Sequence, residues 1–285
     1  MAVLVDLVVT LGMLVVVPVG LRLAAVPQAA AAVRLWPLFA VPGAVSLWLP
    51  RGAPAAALAC CYAVGTLLPA LAAPRRLAAV RSLAPAEVAL CTALVSPAVA
   101  ATALVAERRG HQLFGFDLEI LDLTVPHFHF AGFAAALVAG LVHRAAPGRP
   151  LGTFAALSVP LGTLLVLLGY FVDDWAELAG AVVLTAGMWA VALLTWRDVR
   201  AGTGDRLTRA LLAVSAGVLV ATMLLALSWA VGEATGLPHP SLAWMTATHG
   251  LANALGFALC SLLAWRRLPA RRAGTTAPDR KEVPA

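Results

Sequence analysis

Nine stretches of about 20 apolar residues, each long enough to cross a bilayer as a helix, constrain this chain more than any other feature. They run over 3–21, 31–49, 55–73, 85–105, 121–142, 153–171, 175–196, 207–231 and 241–265. Proline and glycine mark most of the joints, as at 50–52, 147–150 and 236–240. Composition agrees. Of the 285 residues 61% are apolar and 12% charged, against about 25% charged in ordinary soluble domains, and the mean hydropathy is +0.90. Inside a bilayer every backbone amide must be satisfied within the protein. The expected fold is therefore all-α: one polytopic transmembrane bundle over 1–267, followed by a disordered cytoplasmic tail over 268–285. Asp6 and the lack of a basic leader make 1–21 read as a retained first helix and not as a cleaved signal.

Charge sets the expected orientation. Seventeen basic residues, from Arg22 to Lys281, fall in one set of alternate loops, and Arg51, Arg108 and Arg109 in the other; together they account for all 20. Cytoplasmic loops carry the excess of Lys and Arg, so the N-terminus is expected outside and the C-terminus inside a bacterial cytoplasmic membrane. The net charge of +6 does not signal nucleic acid, because the arginines sit in short clusters between apolar runs. The four cysteines (Cys60, Cys61, Cys91 and Cys260) lie inside apolar runs and read as reduced core residues. No zinc spacing, Walker A loop, dinucleotide fingerprint or His-Glu-x-x-His motif occurs, and no cofactor is expected.

The titratable groups lean to the outer side. The run Thr124-Val-Pro-His127-Phe-His129-Phe-Ala-Gly-Phe133 is the most distinctive. Its histidines are two positions apart, hence about 200° around a regular helix. They converge on one substrate or metal only if Pro126 makes the backbone irregular; otherwise one faces the bundle and the other the interface. Metal occupancy is left open. His249 and Asn253, at i and i+4 with Thr246 nearby, form a polar stripe on an apolar helix. Ionisable groups at such depth face a partner or a wet cavity, although an interhelical hydrogen bond would also explain them. Asp173, Asp174 and Glu177 open the seventh helix. Asp174 with Glu177 has the spacing of a cap and its third-position acid, and three acids exceed what a cap needs. The run 116–124 reads either as a solvated outer loop or as a segment lining a cavity. Glu87 and Asp6 read as helix-dipole partners.

The segments 127–133 and Thr248-His249-Gly250-x-x-Asn253-x-x-Gly256-Phe257 resemble the two most recognisable motifs of the YndJ-like bacterial membrane proteins. The likeness covers roughly 110–267, and the first four helices match in hydropathy alone. It implies that His127, His129, His249 and Asn253 belong to a shared family core, and it identifies no substrate. Members are often labelled transporters, which implies little mechanism.

Three functions compete: an intramembrane acid–base enzyme (isomerase, cyclase or hydrolase), a proton-coupled transporter, and a structural membrane subunit. Most acids stop at the outer third of the spans, and the span count is odd, which favours a one-sided pocket over a through-path. The expected site is an outer-half pocket walled by the fifth, seventh and ninth helices and holding a lipophilic small molecule. His129 and His249 would face into it, with His127, Asn253, Asp173, Asp174 and Glu177 as the remaining catalytic candidates. Glu119, Asp122, Phe128, Phe130, Tyr170, Trp175 and Thr246 would line it, while Trp175, Trp229 and Trp244 anchor the outer rim.

Overall fold

The computed structural model describes residues 2–268. Among them are nine helices long and apolar enough to cross a membrane: α1 (Ala2–Ala24), α2 (Pro27–Leu47), α3 (Ala53–Val80), α4 (Pro85–Arg109), α5 (Leu118–Ala145), α6 (Pro150–Gly169), α7 (Asp174–Val199), α8 (Arg206–Thr235) and α9 (Leu242–Arg267). The described residues contain no strand, only a single bridge between Leu113 and Phe116. Of the tail at 268–285, only Leu268 lies within the described residues.

The helices start where local chemistry allows. Proline opens α2, α4 and α6, where its missing N–H costs nothing and its fixed φ suits the first turn. Asp173, Asp205 and Ser241 cap α7, α8 and α9, each accepting a backbone N–H with its side chain. The cap on α7 corrects one expectation. Asp173, not Asp174, is the capping residue, and its Oδ1 takes the Ala176 N–H at 2.8 Å.

α5 runs through the middle of the bundle and is the most enclosed of the nine. Its small residues, such as Ala135, Ala139 and Gly140, let neighbours come close, as van der Waals packing in a bilayer requires. One contiguous apolar core extends from Val5 to Ala264. The α6–α7 hairpin is tighter still. A Cβ added at Gly162 would lie 2.5 Å from the backbone of Leu184, and one at Gly169 would lie 2.5 Å from that of Glu177. The two axes can approach this closely only because neither position carries a side chain.

Several helices widen locally from the α pattern to i→i+5 hydrogen bonding: α1 at Gly12–Val16, α5 at Phe128–Ala135, α7 at Thr195–Val199, and α9 at Thr246–Gly250 and Asn253–Leu259. Such turns are rare and concentrate at functional sites. The widened turns of α1, α5 and α9 touch one another in the centre of the molecule.

Other expectations change with the structure. The run 116–124 is mostly helix: α4 continues to Arg109 and α5 begins at Leu118, so the connection is only 110–117. Asp6 lies beyond the first turn of α1 and within electrostatic reach of Arg108 and Glu107, so it is not a dipole partner. Glu87 does sit in the first turn of α4, and it also takes two hydrogen bonds from Arg76, each 2.9 Å. Of the cysteines only Cys91 packs against the core. Cys60 and Cys61 are exposed on the bundle surface, Cys91 and Cys260 are half-buried, and all four are free.

Candidate functional site

Two adjoining cavities occupy one end of the bundle. The deeper, of about 290 Å³, is walled chiefly by apolar side chains of α1, α5, α6, α7, α8 and α9. Its polar groups are few: His127, His249, Asn253, Thr246, Thr124 and, toward the mouth, Tyr170 with Glu177. A mostly apolar wall with a small number of convergent polar groups is the ordinary form of a small-molecule site. The second cavity, of about 380 Å³, forms a vestibule lined by Asp173, Asp174, Glu177, Glu233 and His239. The two share Ile120, Tyr170, Glu177, Trp229 and Leu242.

Depth follows from the helices themselves. On α7 the lining runs from Glu177 to Met188, on α8 from Met223 to Ala230, and on α9 from Leu242 to Phe257. In each helix these positions lie toward the end where α7 and α9 begin and α8 finishes. The cavity is thus confined largely to one half of the bundle. The arginine-rich helix ends, with Arg144, Arg197, Arg206 and Arg267, are at the other.

His249 is held on three sides. Its Nδ1 lies 2.8 Å from the Thr222 carbonyl, which only accepts, so Nδ1 carries the proton and donates. Nε2 of the neutral ring is then a lone pair. Asn253 Nδ2 approaches it at 3.3 Å while donating a shorter bond, 2.9 Å, to the His249 carbonyl. The Thr222 hydroxyl lies 3.0 Å from Asn253 Oδ1 and orients the amide. Two residues on α9 and one on α8 therefore fix both the tautomer and the direction of a basic nitrogen. His127 lines the same cavity as His249. Its Nε2 is buried with no hydrogen-bond partner in the protein, an uncommon condition for a native polar atom.

His129 does not join them. The expectation that it shares a pocket with His249 fails, because its ring faces away from the cavity and is 0% exposed. Nδ1 donates to the Val125 carbonyl at 2.7 Å, and Nε2 accepts the Tyr62 hydroxyl at 2.6 Å. Tyr62 in turn packs edge-on to Trp36, whose indole N–H donates to the Met13 carbonyl at 2.7 Å. The widened turn after His127 does not reconcile the two histidines. It leaves them on opposite sides of α5, one facing the cavity and one locking α1, α2 and α3 to the centre.

The remaining candidates divide. Phe128, Phe130, Tyr170, Glu177 and Thr246 line the deeper cavity, and Asp173 and Asp174 the vestibule. Trp175 is 60% exposed and lines neither. Glu119 is exposed on the first turn of α5. Asp122 lies off the cavity, within electrostatic reach of Glu107 and Arg108. Trp229 faces the shared neck of the cavities and not the lipid rim. At the mouth the Tyr170 hydroxyl and the Glu177 carboxylate lie side by side. Burial of that hydroxyl, reinforced by Glu177 and Glu233, pushes the phenol above its ordinary value and keeps it a proton donor. Among the described residues no three His, Cys, Asp or Glu side chains are grouped so as to hold a metal ion.

Sequence reasoning missed Tyr62, Trp36 and Thr222, which are uncharged residues inside apolar runs and carry no signal of their own. It also passed over Glu107. This carboxylate is 0% exposed and pairs with Arg51 (2.6 Å) and with its neighbour Arg108, which also donates to the Leu47 carbonyl at 3.0 Å. The isolated outer arginines Arg51 and Arg108 were the available clue.

Fold and site together define a multi-pass helical membrane protein with a largely apolar, histidine-bearing cavity in one half of its bundle. The chain belongs to the YndJ-like protein family, whose model matches residues 7–257. That match takes in α1–α4, beyond the reach of the two motifs, and contains both histidine segments. Over 160 residues the chain is 27% identical to the "Uncharacterized membrane protein YndJ" of Bacillus subtilis (strain 168). The alignment covers 54% of this chain and 28% of that protein. No solved structure matches.

Proposed function

We propose that the protein is an intramembrane enzyme performing acid–base chemistry, of the isomerase, cyclase or hydrolase kind, on a lipophilic small molecule held in the deeper cavity. The observation that carries this is the bracing of His249. A histidine serving only as interhelical glue has no need of a second nitrogen turned to a cavity. Here Thr222 holds the proton on Nδ1, and the lone pair of Nε2 meets only the long Asn253 contact beside the cavity. His249 Nε2 is the base, and the Thr222 carbonyl, accepting from Nδ1–H, steadies the ring as it becomes charged. His127 and, at the mouth, Glu177 with Tyr170 supply or receive the second proton. A positioned general base contributes about 10²–10⁴-fold to rate.

Confinement of the lining to one half of the bundle supports an enzyme over a transporter, which needs polar groups reaching both faces. Toward the other end the same helices carry mostly Leu, Ala and Val, with uncharged hydroxyls such as the paired Ser215 and Ser261. The membrane is the bacterial cytoplasmic membrane and the cavity opens to its outer side, because the arginine-rich ends lie opposite the cavity.

Proton-transfer chemistry leaves an isotopic record. The protein in lipid nanodiscs, incubated with a bacterial lipid extract in doubly labelled water (deuterium and oxygen-18), should introduce label into at least one lipophilic species, read by mass spectrometry. His249→Gln should reduce that labelling at least about 100-fold. Absence of any wild-type labelling above empty nanodiscs would overturn the enzyme reading.

A further inference from the structure

Nothing so far fixes the charge of the occupant. Resting on the reading of the cavity as a substrate site, we infer that its ligand is an organic cation: an ammonium head seated in the vestibule, with an apolar body filling the deeper cavity.

The two spaces are continuous through a shared neck of Ile120, Tyr170, Glu177, Trp229 and Leu242, so one molecule can occupy both. Their chemistry differs sharply. The inner space is mostly hydrocarbon, whereas the vestibule presents Asp173, Asp174, Glu177 and Glu233 and no Lys or Arg. Some of this acid is already engaged. Asp173 caps α7 through Oδ1, and Glu233 lies 3.2 Å from His239 Nε2. Asp174 and Glu177 have no ion-pair partner among the described residues. The arginines of this end lie elsewhere: Arg51 and Arg108 pair with Glu107, and neither they nor Arg109 lines the vestibule.

The acids around this space, with Asp174 lacking any ion-pair partner among the described residues, favour a positive partner over a neutral or negative one. The neck adds a second attraction. Tyr170 and Trp229 present aromatic rings at the junction, where an ammonium group gains from the ring faces as well as from the acids. Independently of the acids, the buried, unpartnered Nε2 of His127 at the cavity wall indicates that the space is built to receive a molecule with a polar atom. A neutral lipid fragment would leave the vestibule charge unmatched, and an anionic one would be repelled.

The full chain in phosphatidylcholine nanodiscs is titrated with (4-phenylbutyl)trimethylammonium, with its uncharged carbon isostere, and with the corresponding sulfonate. Binding to empty nanodiscs is subtracted. The cation should bind at least about tenfold more tightly than the isostere, and the sulfonate should not bind. Asp174→Asn and Glu233→Gln, each checked for cooperative thermal unfolding, should each weaken the cation several-fold and leave the isostere unchanged. Equal affinity for cation and isostere would overturn the charge assignment, assigning the vestibule acids to proton supply, and would leave the cavity reading intact. Preferential binding of the sulfonate would overturn it in the same way. If neither cation nor isostere binds to protein that unfolds cooperatively, both this inference and the substrate-site reading fall.

Discussion

Histidine at the centre of an apolar helix is costly, and this chain resolves that cost in two different ways. His129 is satisfied at both nitrogens by Val125 and Tyr62 and is fully enclosed. It is an anchor. His249 is held firmly at Nδ1 by the Thr222 carbonyl and only by the longer Asn253 contact at Nε2, beside the cavity. Substitutions should separate the two. Tyr62→Phe removes the donor to a buried acceptor and should cost about 1–3 kcal/mol, read as a lower thermal midpoint in detergent, with ligand binding at the cavity unchanged. Thr222→Val deletes the hydroxyl bond to Asn253 and keeps the carbonyl that holds His249 Nδ1. It should cost less than about 1 kcal/mol, in line with interhelical hydrogen bonds in membranes. Asn253→Leu should weaken the labelling reaction more than Thr222→Val does. Equal losses would assign the network to structure alone. Glu107→Leu leaves Arg108 buried and unpaired, a change worth about 3–5 kcal/mol, and should abolish cooperative unfolding near room temperature.

Helices pair in this bundle by surrendering side chains where axes cross. Gly162→Leu would drive a side chain into the backbone of Leu184 on α7. Since Glu177 lies on that helix, the variant should lose stability and displace the cavity mouth together. Gly217 on α8 has nothing within 4 Å of its would-be Cβ, so Gly217→Ala should be neutral or stabilising by up to about 1 kcal/mol through helix propensity. Parallel thermal melts of the two variants check the pair. At the other end of the same helix, Asp205 caps α8 and receives Arg267 at 2.9 Å. Hydrogen bonds from the Thr208 hydroxyl and then from Arg267 hold its carboxyl down at about 2, against an ordinary 3.8. A depressed carboxylate stabilises the fold above its unfolded value and loses that contribution as pH falls through the folded one. The difference in melting temperature between wild type and Asp205→Ala should therefore be constant from pH 8 to about 5 and shrink only below about 4.

For the molecule as a whole, the proposed orientation has a direct test. A reporter active only in the cytoplasm, fused after Arg267, should be active, and one fused after Arg109 should be silent. The reverse pattern would turn the cavity to face the cytoplasm. Continuity of the core from α1 to α9 makes the cavity a property of the assembled bundle, since its walls come from six helices. Disturbing α1 at Val5 or Val8, far in sequence from every titratable candidate, should alter ligand affinity.

The sequence by itself determined class, helix number and charge asymmetry. Those follow from the length of apolar runs and the placement of arginine, which the bilayer reads locally, one segment at a time. It also marked His127, His249, Asn253 and Glu177 as residues of interest, because a polar side chain in an apolar helix stands out without any knowledge of its neighbours. Which histidine faces the cavity was decided only by tertiary packing. Periodicity assumes a constant turn, and the widened turns of α1, α5 and α9 break it where those helices meet. The partners that give each histidine its role, Tyr62 on α3 and Thr222 on α8, are ordinary residues whose meaning comes from distance in space. Hydrogen bonds reach about 3 Å, and no spacing along a chain can encode which side chains from different helices will fall within it.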